Sequence, residues 1–207
     1  MAVEIDRRGS ALWITLNRPE RHNMYDVDMA DAMLTALYGT AGAQAVVITG
    51  KGGVFCAGSA FDQLEEAPPA PPRELLATSA RLVEAIRGCP QPVLAAVDGL
   101  VAGGGNELVV ACDFALATRR SSFGRMRSAR ACGLLAAQVG ERRAKEMAML
   151  GRRYSAQQAL EMGLINEVVP DGELGVAVGR WLTEIHGLSP RLLETAKSEF
   201  HAERATL

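Results

Sequence analysis

Two short apolar runs constrain the fold most. Ala45-Val46-Val47-Ile48-Thr49 and Val93-Leu94-Ala95-Ala96-Val97 have small or β-branched residues at nearly every position and no alternation with polar ones. A strand with both faces apolar is buried on both faces, the state of sheets covered by helices on each side. Amphipathic helical stretches separate such runs. After Asp26, a plausible N-cap, Val27, Met29, Met33, Leu34 and Leu37 fall at helical spacing up to Gly39. Leu75, Leu76, Leu82, Val83 and Ile86 do the same over Arg73 to Arg87. Strands alternating with helices give an α/β class.

The flanking segments fit this frame. Val3-Glu4-Ile5 and Ala11 to Leu16, joined by Arg8-Gly9-Ser10, read as a hairpin. Phe55-Cys56-Ala57-Gly58 reads as a compact loop, and Pro68-Pro69-Ala70-Pro71-Pro72 as an exposed loop before the second helix. Asn106 to Cys112 reads as a helix, and Phe114 to Ala117 returns to the sheet. From Ala129 onward the pattern is helical: Glu141 to Leu150, a segment capped by Ser155 with Gln158, then helices over about 173–186 and 190–202. A short strand, Glu167-Val168-Val169, interrupts them. No internal repeat is visible. One domain over residues 1–207 is expected, with a core over about 1–150 and a helical C-terminal part over 151–207.

Composition narrows the function classes. Of 207 residues 48% are hydrophobic, which excludes a disordered chain. A net charge of −2 and few aromatics argue against nucleic acid as a partner. No apolar run approaches the roughly 18 residues of a membrane span, so no membrane association is expected. The N-terminus lacks a charged-then-apolar signal, which points to the cytoplasm. Cys56, Cys89, Cys112 and Cys132 form no CxxC or Cys/His cluster, so no metal is expected and the thiols read as buried and free.

Two small-residue loops carry the chemistry. One, Phe55 to Ser59, follows the strand at 45–49; the other, Gly103-Gly104-Gly105, follows the strand at 93–97. Ligands of open α/β sheets sit beyond strand ends, and glycine lets backbone N–H groups approach them. Side by side, two such loops could present two N–H groups to one oxygen, an anion hole suited to an enolate or a tetrahedral anion, although a tight turn with close helix packing accounts for the glycine triplet by itself. Glu107, on the next turn, is a candidate general acid/base, although an acid at a helix start is also favoured by the dipole alone. A dinucleotide site fits poorly, because Ala102 to Gly105 lacks the G-x-G-x-x-G spacing.

These residues sit within a longer ordered set. It comprises Leu16-Asn17-Arg18-Pro19-Glu20-Arg21-His22-Asn23, Val47-Ile48-Thr49-Gly50, Phe55-Cys56-Ala57-Gly58, Pro92 to Gly99, Ala102 to Leu108, Ala111-Cys112-Asp113, Ser122-Phe123-Gly124 and Ser155 to Asn166. In this order and spacing the chain resembles the crotonase superfamily, the enoyl-CoA hydratases and isomerases. The resemblance implies a ββα spiral core with C-terminal helices that binds an acyl thioester. Its oxygen would lie between the N–H groups of Ser59 and Gly104, with Glu107 as acid/base. Ala57, Ala60, Phe61 and Asp62 would line coenzyme A, and Arg21 would lie near its nucleotide. The carrier is coenzyme A or an acyl-carrier protein, coenzyme A enters only as part of the substrate, and no separate cofactor is implied. A homotrimer or homohexamer is the implied assembly.

The chain also departs from the family. Hydratases place a second glutamate in a Phe-Gly-x-Pro-Glu segment; here Phe123-Gly124-Arg125-Met126-Arg127 puts Arg127 there, a candidate acyl-pocket cation. No carboxylate occurs between Asp113 and Glu141. A basic stretch from Arg119 to Lys145 reads either as a solvated surface or as a landing site for phosphate. One carboxylate suits proton movement between carbons better than two-glutamate hydration. Hydratase/isomerase activity therefore stands beside two alternatives: an acyl-thioester decarboxylase of the same fold, and a non-catalytic acyl-CoA-binding or partner protein.

Overall fold

The computed structural model describes residues 1–59, 73–124, 126 and 129–204. Six strands form the first sheet. β1 (Val3–Arg8) and β2 (Ala11–Leu16) are the antiparallel hairpin. β3 (Ala45–Gly50), β5 (Val93–Val97), β7 (Phe114–Thr118) and β10 (Glu167–Val169) extend it in parallel, in the order β1-β2-β3-β5-β7-β10. A second sheet has the order β4 (Val54–Cys56), β6 (Leu100–Ala102), β8 (Ser122–Gly124) and β9 (Arg153–Ser155).

The helices are α1 (Val27–Tyr38), α2 (Arg73–Gly88), α3 (Gly104–Ala111), α4 (Ala129–Val139), α5 (Glu141–Met149), α6 (Ala156–Glu161), α7 (Leu174–His186) and α8 (Pro190–Arg204). A unit emerges that the sequence hides: a strand of the first sheet, a short strand of the second, then a helix. It runs as β3-β4-α2, β5-β6-α3 and β7-β8-α4. This α/β arrangement of repeated strand–strand–helix turns is the spiral that the resemblance implied.

Burial explains the missing alternation in the central strands. Val46, Ile48, Val93, Ala95 and Val97 join the core beneath α1 to α3, while Val47, Leu94, Ala96 and Leu116 face the opposite way. There Ala177, Val178, Leu182 and Ile185 of α7 cover them, and the Phe114 and Trp181 rings meet at 5.2 Å. Both faces of the strand are thus apolar because both are roofed.

Several local readings are corrected. Phe55 and Cys56 are strand rather than loop, and the stretch after Ala129 is interrupted by β9, which pairs antiparallel with β8. The proline-rich stretch at 68–72 lies outside the described residues. Of the four free cysteines, Cys56, Cys89 and Cys112 are buried, but Cys132 is half-exposed. Among the described residues no helix is long and apolar enough to cross a membrane.

Candidate active site

The site is built where three segments meet: the loop after β2, the end of β4, and the first turn of α3. The first loop is organised by Asn23, fully buried and held at φ 53°. Its side-chain oxygen accepts from the Arg18 N–H at 2.8 Å, and its amide donates to the carbonyls of Lys51 and Val54 at 2.8 and 2.7 Å. Asparagine tolerates the left-handed region better than most residues, so one side chain both permits and fixes the turn.

That loop then pairs with the chain leaving β4. The Ala57 N–H donates to the His22 carbonyl at 3.0 Å, and the Tyr25 N–H to the Gly58 carbonyl at 3.0 Å. Tyr25 and Ser59 form an isolated parallel bridge. Arg21 sits exposed on the short 3-10 turn Pro19–Arg21, one residue before His22, so its backbone flanks Ala57. Asp26 closes the segment by capping α1: it accepts from the Met29 N–H at 3.0 Å and pairs with Arg18 at 2.6 Å.

α3 arrives on the same spot. A Cβ at Gly105 would collide with the carbonyl oxygen of Cys56, and one at Gly104 with the hydroxyl of Tyr25. Only glycine lets the first turn of α3 lie this close to the end of β4. The two small-residue loops of the sequence are therefore brought together. Asn106, buried in the same turn, donates to the Gly124 carbonyl at 2.8 Å and ties α3 to β8. Glu107 is partly exposed on this turn. From α4, Cys132 faces its charge: burial raises the thiol pKa, and the Glu107 carboxylate raises it further.

Chemically, this is a helix N-terminus with small residues, facing an exposed-edged loop, with one carboxylate a turn away. Helix-start N–H groups carry partial positive charge and suit an oxygen that becomes an anion. Of the sequence-predicted residues, Ala57, Ser59, Gly104, Glu107 and Arg21 belong to the three segments that meet here. Ala60, Phe61, Asp62 and Arg127 lie outside the described residues. Asn23 and Tyr25 carry much of the construction; Asn23 ends the Leu16 to Asn23 run that carries the resemblance, whereas nothing in the sequence marks Tyr25 as part of the site.

Part of the basic stretch is paired. Arg120 makes a two-point contact with Asp98, and Arg143 and Lys145 pair with Glu146 and Glu141 at 2.7 and 2.5 Å. The Asp98 carboxyl is held below its ordinary value by the hydrogen bonds from Arg120, against the opposing effect of its burial. A separate cavity of about 430 Å³ lies at the other end of α3, lined by Val109, Asp113, Lys197 and Phe200 among others, and does not include Glu107. Among the described residues, no group of three or more His, Cys, Asp or Glu could hold a metal ion.

Comparisons with known proteins agree with this architecture. The family model for enoyl-CoA hydratase/isomerase matches residues 6–206. A curated Rhodobacter capsulatus protein described as a "probable enoyl-CoA hydratase" is 37% identical over 166 residues, covering 76% of this chain and 65% of that protein. The chain thus spans just under two thirds of that relative's length. Among solved structures, an enoyl-CoA hydratase/isomerase from Xanthobacter autotrophicus Py2 superposes with a TM-score of 0.89 at 32% identity, covering 100% of this chain and 81% of that one. An enoyl-CoA hydratase from Mycobacterium avium subsp. paratuberculosis K-10 gives 0.90 at 28% identity, covering 99% and 86%.

Proposed function

The chain belongs to the enoyl-CoA hydratase/isomerase family of the crotonase superfamily, and from that premise we propose that it acts on acyl thioesters through an enolate held in an anion hole. The observation that carries this reading is the packing of α3's first turn on the end of β4: Gly105 lies against the Cys56 carbonyl, and Gly104 against Tyr25, whose backbone pairs with Ser59. The thioester oxygen accepts from the N–H groups of Ser59 and Gly104. Drawing charge onto that oxygen acidifies the carbon next to the thioester. Glu107 as carboxylate takes a proton there, and as carboxylic acid returns it to a carbon further along the acyl chain. The net change is a moved double bond, with no atom gained or lost.

Hydration requires in addition a water whose oxygen adds to the β-carbon of the enoyl chain while a proton goes to the α-carbon. The absence of any carboxylate between Asp113 and Glu141 favours proton transfer between carbons over two-glutamate hydration. The same absence motivates the decarboxylase and non-catalytic readings, which the experiment below separates. Coenzyme A or an acyl-carrier protein supplies the thioester, with Ala57 and the Arg21 turn beside its carrier end. Free, mostly buried cysteines fit a reducing, cytoplasmic setting.

The test is turnover of enoyl-, malonyl- and β-ketoacyl-CoA thioesters by wild type and Glu107→Gln, with thioester binding measured in parallel. Loss of general acid/base catalysis is expected to lower turnover of the enoyl thioester about 100-fold or more while binding persists. Turnover of malonyl thioesters alone, indifferent to Glu107, selects the decarboxylase. Binding with no turnover of any thioester selects the non-catalytic acyl-CoA-binding or partner protein. We further propose assembly as a homotrimer or homohexamer; sedimentation at micromolar concentration checks it, and a monomer there contradicts it.

A further inference from the structure

Tyr25 touches both halves of the proposed hole. Its backbone N–H donates to the Gly58 carbonyl at 3.0 Å, and its backbone pairs with Ser59. Its hydroxyl lies against Gly104, on the side where any other residue would carry a Cβ. The side chain is 1% exposed, so it has no freedom to swing away. Its backbone is fixed from both directions: Asn23, two residues before, makes three hydrogen bonds, and Asp26, the next residue, caps α1.

Resting on the reading that the hole lies between Ser59 and Gly104, we propose that Tyr25 is a positioning residue that sets the gap between them. The backbone end holds the Ser59 loop. The phenol, rigid and of fixed length, bears on the Gly104 backbone at its far end. Two N–H groups serve one oxygen only if their separation is held to within a few tenths of an ångström, on the order of the 0.5 Å tolerance of preorganised sites. The tyrosine links one loop to the other without contributing a group to the reacting atoms. Its oxygen also explains why residue 104 has no side chain: the hydroxyl occupies that volume.

The experiment uses Tyr25→Phe, Gly104→Ala and the double variant. One probe is 3-oxobutanoyl-CoA, whose acidic carbon forms an enolate with a near-ultraviolet band when an anion hole stabilises it. Enoyl-CoA turnover is followed alongside. Removing a hole donor outright costs 100- to 1000-fold in characterised cases; a donor that is present but unsupported loses less. Tyr25→Phe is therefore expected to lower kcat about tenfold and weaken the bound enolate band, with KM and melting temperature unchanged. Gly104→Ala drives its methyl into the phenol oxygen and is expected to lose more. In the double variant that oxygen is gone, so part of the loss should be recovered, a non-additivity that independent sites do not show.

An enolate band and kcat unchanged in Tyr25→Phe, with effects of the two substitutions that simply multiply, overturn the proposal and leave the hole standing. Failure of wild type to show the band while binding the thioester, or indifference of wild-type chemistry to Gly104→Ala, removes the hole itself and Tyr25's role with it. If the thioester is not turned over, the band alone decides between these outcomes.

Discussion

A single buried amide holds the loop on which half of the candidate site rests. Asn23 satisfies an N–H and two carbonyls from two stretches of chain, at Arg18 and in the turn from Lys51 to Val54. A truncation there strips three backbone groups of their partner in a place water reaches poorly. It also puts an ordinary side chain at a positive φ. Each buried group left unsatisfied costs about 1–3 kcal/mol, and partial relaxation offsets some of that. Asn23→Ala is expected to lower unfolding free energy by about 3 kcal/mol, read by urea denaturation. Thioester binding should weaken as well, because Ala57 and Gly58 lean on the same loop. A loss below about 1 kcal/mol would mean that the loop is held by its backbone pairing alone.

Elements differ in how plainly the sequence announces them. β3 and β5 were legible because a run buried on both faces is apolar throughout, and α1 because Asp26 stands where its cap is needed. The Ser155–Gln158 box was legible for the same local reason, and both of its reciprocal bonds are made. β4, β6, β8 and β9 were not read as a sheet. Each has three residues, too few to show a period, and each pairs with a strand distant in sequence. What directs the chain into that sheet is concentrated at single positions. At Gly99, between β5 and β6, φ is 89° and a Cβ would run into the carbonyl of Gly53. Ser121 accepts its N–H at 3.0 Å, while the neighbouring Asp98 carboxylate anchors Arg120 and accepts from Thr118 at 2.9 Å. The meeting of the two glycine-bearing loops was readable for a similar reason, since each follows a buried strand of one sheet. Tyr25 was not, because an aromatic residue before a helix cap looks like any core side chain until its hydroxyl is seen against Gly104.

At the scale of the whole molecule, a buried cation helps to fasten the last helix. The Lys197 ammonium on α8, with its side chain 8% exposed, donates to the Ile86 and Gln91 carbonyls at 3.1 Å each and pairs with Asp113 at 2.6 Å. Asp113, 19% exposed, also accepts from the Val93 N–H at 2.7 Å. The lysine thereby joins α8 to the end of α2, the start of β5 and the turn after α3, across separations of 84, 106 and 111 residues. Removing one member of a buried ion pair is costlier than removing both, because the survivor keeps its charge without its counter-ion. Lys197→Met keeps most of the apolar stem and deletes the ammonium, so the loss isolates the polar fastening from packing. It is expected to cost about 3 kcal/mol of unfolding free energy and to speed amide exchange along α8 before the rest of the chain. Adding Asp113→Asn should return part of that loss, since a neutral amide oxygen can still accept from Val93 and no charge is stranded. Denaturation of the three variants, with exchange followed by element, checks both claims. Equal stability of Lys197→Met and wild type, or a double variant weaker than the single one, would show that α8 is held by its apolar face and that the ion pair is incidental.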